Sequence, residues 1–137
     1  MLARKVTARF VCRRGFSTFY GMDLPVNASS KIPEERTVDE SFAEQILPFS
    51  SDKTLRADYL SYTGNIRIGK LLENMDIIAG KVSYLHADPT LQSVIMVTAC
   101  CDRITLQKKF HSEKDVIVRG FPTHVGKSSM EIRVECK

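Results

Sequence analysis

The sequence predicts an α+β domain in which one long helix packs against an antiparallel sheet. Three observations carry that reading. Residues 64–82, GNIRIGKLLENMDIIAGKV, place apolar side chains at helical spacing. After them the pattern changes to apolar runs separated by short polar turns. The composition, 43% hydrophobic and 26% charged over 137 residues, is that of one globular domain with some extra length. A helix with one apolar stripe and strands with one apolar face both need cover, and packing one on the other supplies it.

The chain begins with Arg4, Lys5, Arg9, Arg13 and Arg14 and has no acid before Asp23. Leu2, Val6 and Phe10 recur every four residues, which gives a helix of this segment one apolar side. With Ser17 and Thr18 near its end, residues 1–20 have the composition of a mitochondrial presequence. RRGFST resembles the mitochondrial processing pattern, so cleavage is expected before Ser17 and the mature protein in the mitochondrial matrix. Beyond residue 22 there remain 15 basic and 16 acidic side chains, so the net charge of +4 belongs to the N-terminus. The balance elsewhere argues against a nucleic-acid partner. No apolar run reaches the ~20 residues of a membrane-spanning helix.

Residues 21–40, with Pro25, Pro33 and mixed charge, read as a linker or arm, and the domain proper as 41–137. SFAEQILPF suits a short edge strand that stops at Pro48. SDKTLRADYLSY suits a short helix capped by Ser51 or Asp52. In the long helix Ile68, Leu71, Leu72, Met75, Ile78, Ala79 and Val82 fall within an arc of about 120°, the stripe of a core-facing helix. Asp76 lies beside that stripe, and Gly69, Glu73 and Gly80 share its flank. Each helical glycine costs about 1 kcal/mol relative to alanine, which implies close approach of backbone or ligand there. Asn65 stands where an N-cap is expected.

VSYLHA reads as a short strand ending at Asp88-Pro89. Val94 to Cys101 is nearly continuous apolar sequence, the pattern of a central strand covered on both faces. KDVIVRGFPTHV and SMEIRVEC follow as strands joined by a turn at VGKS. In the last, Met130, Ile132, Val134 and Cys136 alternate with Glu131, Arg133 and Glu135, giving one buried and one wet face. Cys12, Cys100, Cys101 and Cys136 form no CxxC, and His86, His111 and His124 lack metal-ligand spacing, so neither metal nor cofactor is expected. The cysteines read as small core residues. A nucleophilic pair of Cys100 or Cys101 with His124 is a weaker alternative.

Taken together, LPFSSDKTLRADYLSYTGNIRIGKLLENMDIIAG, VTACCDRI and HVGKSSMEIRV resemble the mitochondrial acyl-coenzyme A thioesterases of the type-nine group, over roughly residues 41–137. The resemblance implies a hotdog fold, a sheet wrapped around one central helix. It also implies an Asn before the helix in a segment like N-x-x-G-G, and an acid eleven positions on. Asn65 and Asp76 have that separation and Gly69 matches the last glycine, while Ile68 replaces the glycine before it. Such chains usually carry two hotdog domains, with Asn and Asp of different domains meeting at the interface. This chain holds one and ends at Lys137 directly after a strand, so a shortened form is expected.

The implied activity is hydrolysis of acyl-coenzyme A to free fatty acid and coenzyme A. A carboxylate held over an apolar acyl pocket is a suitable base, because desolvation raises its pKa towards neutrality. Asp76 takes that role or attacks the carbonyl carbon directly. Free N–H groups near Gly69 would receive the oxyanion, and Asn65 would orient water or thioester. Lys127 and Arg103 are the candidates for the coenzyme A phosphates. The bland reading makes Asp76 a surface acid paired with a lysine and Asn65 a cap. A second function, a non-catalytic acyl-CoA-binding or dimerisation partner, stays open. A hydratase is disfavoured, since no His lies between Gly64 and Val82. The expected assembly is a homodimer or a pairing with a related hotdog chain.

Overall fold

A computed structural model describes residues 6–15, 36–87, 95–107 and 110–137. In chain order it contains β1 (Val6–Gly15), a 3-10 turn at Asp39–Ser41, β2 (Ala43–Leu47), α1 (Lys53–Tyr59), α2 (Ile68–Ala87), β3 (Ile95–Leu106), β4 (Val116–Val125) and β5 (Ser129–Cys136). The strands form one sheet in the order β2-β4-β5-β1-β3, with every pairing antiparallel. One long helix against this sheet is the α+β, hotdog arrangement expected from the sequence.

The stripe on α2 makes the core. Leu71, Met75, Ile78, Ala79 and Val82 are buried and meet Val118 of β4 and Ile132 and Val134 of β5, all without exposed surface. Each large apolar side chain so buried contributes roughly 1.5–3 kcal/mol. The approach is closest at Gly120 of β4, where an added Cβ would stand 2.8 Å from Ile78 Cγ2 and 3.1 Å from Val82 Cγ2. Phe49 and Tyr59 close one end, their ring centroids 5.0 Å apart. Of the two candidate caps for α1, Asp52 serves: its Oδ1 accepts from the Leu55 N–H at 2.8 Å. Such a cap is worth about 1 kcal/mol.

The short strand lies at an edge as expected, and the last strand alternates as its sequence says. Glu135 is the exception on the wet face: it is buried, with Arg119 at 3.7 Å.

Three local expectations fail. VSYLHA is not a strand but the last turns of α2, because Val82 and Ser83 continue the buried helical stripe and packing overrides β propensity. The apolar run in β3 is not central: β3 is the second edge, and Val97, Ile104 and Leu106 are exposed, as are Cys100 and Cys101. Of the cysteines read as core residues, Cys136 alone among those described is buried, and burial pushes its thiol up to about 12. Third, the helical side expected from Leu2, Val6 and Phe10 is absent where it is described: Val6 and Phe10 lie in the extended β1. Leu2, the Ser17 cut position and most of the linker, residues 21–35, lie outside the described residues.

Candidate functional site

Two places along α2 hold the residues of interest. The first is the turn that feeds its N-terminus. Leu60 and Ile66 bridge antiparallel, the Ser61 N–H donates to the Asn65 carbonyl at 2.8 Å, and the Arg67 N–H donates to the Tyr59 carbonyl at 2.8 Å. Gly64 turns this loop with φ +74°, a left-handed conformation that favours glycine. Asn65 is therefore a loop residue and not the expected N-cap: its side chain donates to Thr63 Oγ1 at 2.9 Å, and Arg67 O receives the N–H groups of Lys70 and Leu71.

Asn65 also lines a cavity of about 250 Å³ with Ile66, Ile68, Leu106 and Phe110. The wall is apolar except for the amide, which suits a hydrocarbon chain ending in a polar group. Gly69 lies in the first turn beside it, exposed, and an added Cβ there would meet nothing within 4 Å. The N–H groups of Ile68 and Gly69 precede those that bond to Arg67 O, and the helix dipole makes such leading N–H groups good anion donors. Ile68, in place of a glycine, forms part of the cavity wall.

The second place is the flank of α2 that faces the start of β3. Thr98 Oγ1 donates to Asp76 Oδ1 at 2.7 Å, and two turns further along the Met96 N–H donates to the Tyr84 hydroxyl at 3.2 Å. Gly80 lies between them, with nothing within 4 Å of an added Cβ. Asp76 itself is exposed, so no apolar pocket of the described residues desolvates it, contrary to expectation. The close approach that would justify Gly69 and Gly80 is also absent from the described residues. Thr98 escaped the sequence reading. Its signal was there: it is the only hydroxyl in the apolar run from Val94 to Cys101.

These two places do not meet within one chain. Ile68 and Asp76 are eight residues apart on α2, which is about 12 Å of helix, and Asn65 lies still further upstream. Arg103, in the second half of β3, and Lys127, in the turn between β4 and β5, are exposed and do not line the cavity. His124 is separated from Cys100 by the intervening strands β5 and β1, about 14 Å at ordinary strand spacing, so those two form no nucleophilic pair.

Elsewhere the charged and polar groups mostly fasten the fold. Arg36 donates to the Leu85 carbonyl at the end of α2, and Ser41 Oγ lies 2.7 Å from His86 Nδ1. Partial burial, aided by the Arg36 charge, lowers the His86 pKa. Hydrogen bonds from Ser50 hold the Asp115 carboxyl below its ordinary value. No helix among the described residues is long and apolar enough to cross a membrane.

Comparison with known proteins gives the chain its relatives. It is 37% identical over 103 residues to acyl-coenzyme A thioesterase 2, chloroplastic, of Humulus lupulus, an alignment covering 73% of this chain and 24% of that protein. Against acyl-coenzyme A thioesterase 4, mitochondrial, of the same plant it is 39% identical over 89 residues, 63% of this chain and 17% of the relative. Against the human acyl-coenzyme A thioesterase 9, mitochondrial, it is 33% identical over 104 residues, 73% of this chain and 24% of the relative. The alignments thus take in a quarter or less of the curated relatives' length. No family model and no solved structure matches the chain.

Proposed function

This chain is a homologue of the acyl-coenzyme A thioesterases, and we propose that it hydrolyses acyl-coenzyme A to free acid and coenzyme A at a site completed by a second hotdog domain. The observation that carries this reading is Asp76, an exposed carboxylate oriented by Thr98 on a flank lined by Gly69 and Gly80. The acyl chain enters the cavity beside Asn65, and its thioester carbonyl comes to the first turn of α2. Asp76 of the other domain takes a proton from water, whose oxygen attacks the carbonyl carbon. N–H groups near Gly69 receive the oxyanion, and collapse expels the coenzyme A thiolate, which is then protonated. The second domain covers the flank, and that cover supplies the desolvation a carboxylate base needs.

A second copy of this chain meets the requirement most simply, because a two-fold axis brings Asn65 of each copy to Asp76 of the other. The open edge strand β3, with Val97, Ile104 and Leu106 exposed, offers a surface for that association. Arg103 and Lys127 remain the candidates for the coenzyme A phosphates. The compartment is the mitochondrion, and more finely its matrix. The arginine-rich segment 1–20 supports this, as do the relatives named mitochondrial; another relative is named chloroplastic.

The test is a pair of variants. Asp76→Asn keeps the size of the side chain and removes the base, so thiol release falls at least about tenfold while the fold survives. Asn65→Ala lowers it less. Refolding the two variants together restores up to about a quarter of wild-type activity, because a mixed dimer holds one intact site. Unchanged activity in Asp76→Asn would sink the catalytic assignment. A folded, assembled wild type that hydrolyses no acyl length would favour a binding partner instead.

A further inference from the structure

The arginine-rich stretch of the N-terminus is also an interior strand. β1 lies between β5 and β3, and those two strands are joined in the sheet only through it. Against β3 it pairs along its whole length, from Val6 opposite Leu106 to Gly15 opposite Ile95. Against β5 it pairs from Val6 opposite Cys136 to Arg13 opposite Ser129. A segment committed to ladders on both sides is not free to bind a receptor groove or to lie extended in a peptidase cleft.

We propose that folding hides the targeting segment: while β1 sits in the sheet the chain is neither taken up for import nor cut before Ser17, and release of β1 permits both. This rests on reading residues 1–20 as a presequence. Once cut, the chain loses all of β1, and the facing edges of β5 and β3 must then pair with each other or with a strand of the second domain before the matrix form closes its sheet.

The register also says where release begins. The pairing with β3 shifts between Arg9 and Phe10 and again between Val11 and Cys12. The middle of β1 is thus its loosest part, unlike the middle of an ordinary interior strand.

Trypsin tests this directly on the full folded chain, with a synthetic peptide of residues 1–20 as the reference and mass spectrometry following cuts after Arg9, Arg13 and Arg14. The folded chain is cut there at least about 100-fold more slowly than the peptide, as for a segment reached only through local opening. Cutting at the peptide's rate while residues 36–137 stay intact overturns the proposal. Release that begins at the register shifts makes the cut after Arg9 the least protected of the three relative to the peptide, and equal protection at all three overturns the account of release. Val11→Pro removes a donor from an interior strand and brings cutting to the peptide's rate. Where that variant fails to fold, the wild-type comparison with the peptide decides alone. Import into isolated mitochondria separates this proposal from the targeting reading. Urea-unfolded chain enters and is cut before Ser17, and folded chain does so at least about tenfold more slowly. Entry of both at one rate overturns the masking, whereas failure of even the unfolded chain overturns the targeting reading and leaves the trypsin result to judge β1.

Discussion

On the β4–β5 side of the sheet Val118, Ile132 and Val134 lie completely buried under α2, while on the β3 edge Val97, Ile104 and Leu106 are each nearly half exposed. The same kinds of side chain meet opposite fates on two parts of one sheet. Apolar content says that a strand is to be covered but not by what. The α2 stripe covers β4 and β5. Over β3 the stripe gives no such cover, and Asp76 bonds to Thr98 at that open edge.

Two glycines put the contrast to a test, because alanine should act in opposite directions on the two sides. Gly120→Ala, on the covered side, drives a methyl to 2.8 Å from Ile78 Cγ2, and a β-branched side chain packed in the core has little room to yield. Thermal or urea unfolding should register a loss of roughly 1–3 kcal/mol. A neutral result would mean that α2 is free to move off β4.

Gly80→Ala, on the open side, meets nothing within 4 Å and improves helix propensity. The chain should therefore gain up to about 1 kcal/mol, read from the same unfolding curves. Under the proposed function thiol release should nonetheless fall, because the methyl would stand where the second domain is proposed to approach. Gain in stability with full activity retained would show that nothing packs on this flank.

The smallest effect concerns the far end of α2. Burial, with Arg36 nearby, lowers the His86 pKa from 6.5, so the folded state binds this proton less readily than the unfolded state does. Stability is therefore full above about pH 6.5 and declines as pH falls towards the folded pKa, where the loss is complete. His86→Gln should flatten that part of the stability–pH curve. An unchanged slope would assign the loss to other groups.

Much of the fold was legible because its signals are local. The buried stripe from Leu71 to Val82 follows from 3.6-residue periodicity, and the alternation from Met130 to Cys136 follows from the two-residue period of a strand. Asp52 was one of two candidate caps, and either would have begun α1 at nearly the same place. VSYLHA misled for a reason just as definite. Its valine and tyrosine favour a strand in isolation, but Val82 and Ser83 continue a stripe already packed on the sheet.

The candidate site was legible in part. Asp76 stood out as an acid beside an apolar stripe, and the structure gives it Thr98 as a partner across twenty-two residues of sequence. Asn65 stood out by its place before the helix, yet it lies in a turn and lines a cavity with Leu106 and Phe110, which come from distant parts of the chain. No spacing rule joins these residues, because the approach of β3 to α2 creates the contact.

The sequence by itself thus determined the helix, its buried face, the alternating last strand and the α+β class, since each depends on residues within a few positions of one another. Only the tertiary structure decided that β3 is an edge, that Val6–Gly15 is an interior strand, and that Asn65 and Asp76 are about 12 Å or more apart along α2. Strand order is chosen by pairing between segments up to 130 residues apart, from Val6 to Cys136, and that choice leaves no mark in the local pattern of either strand.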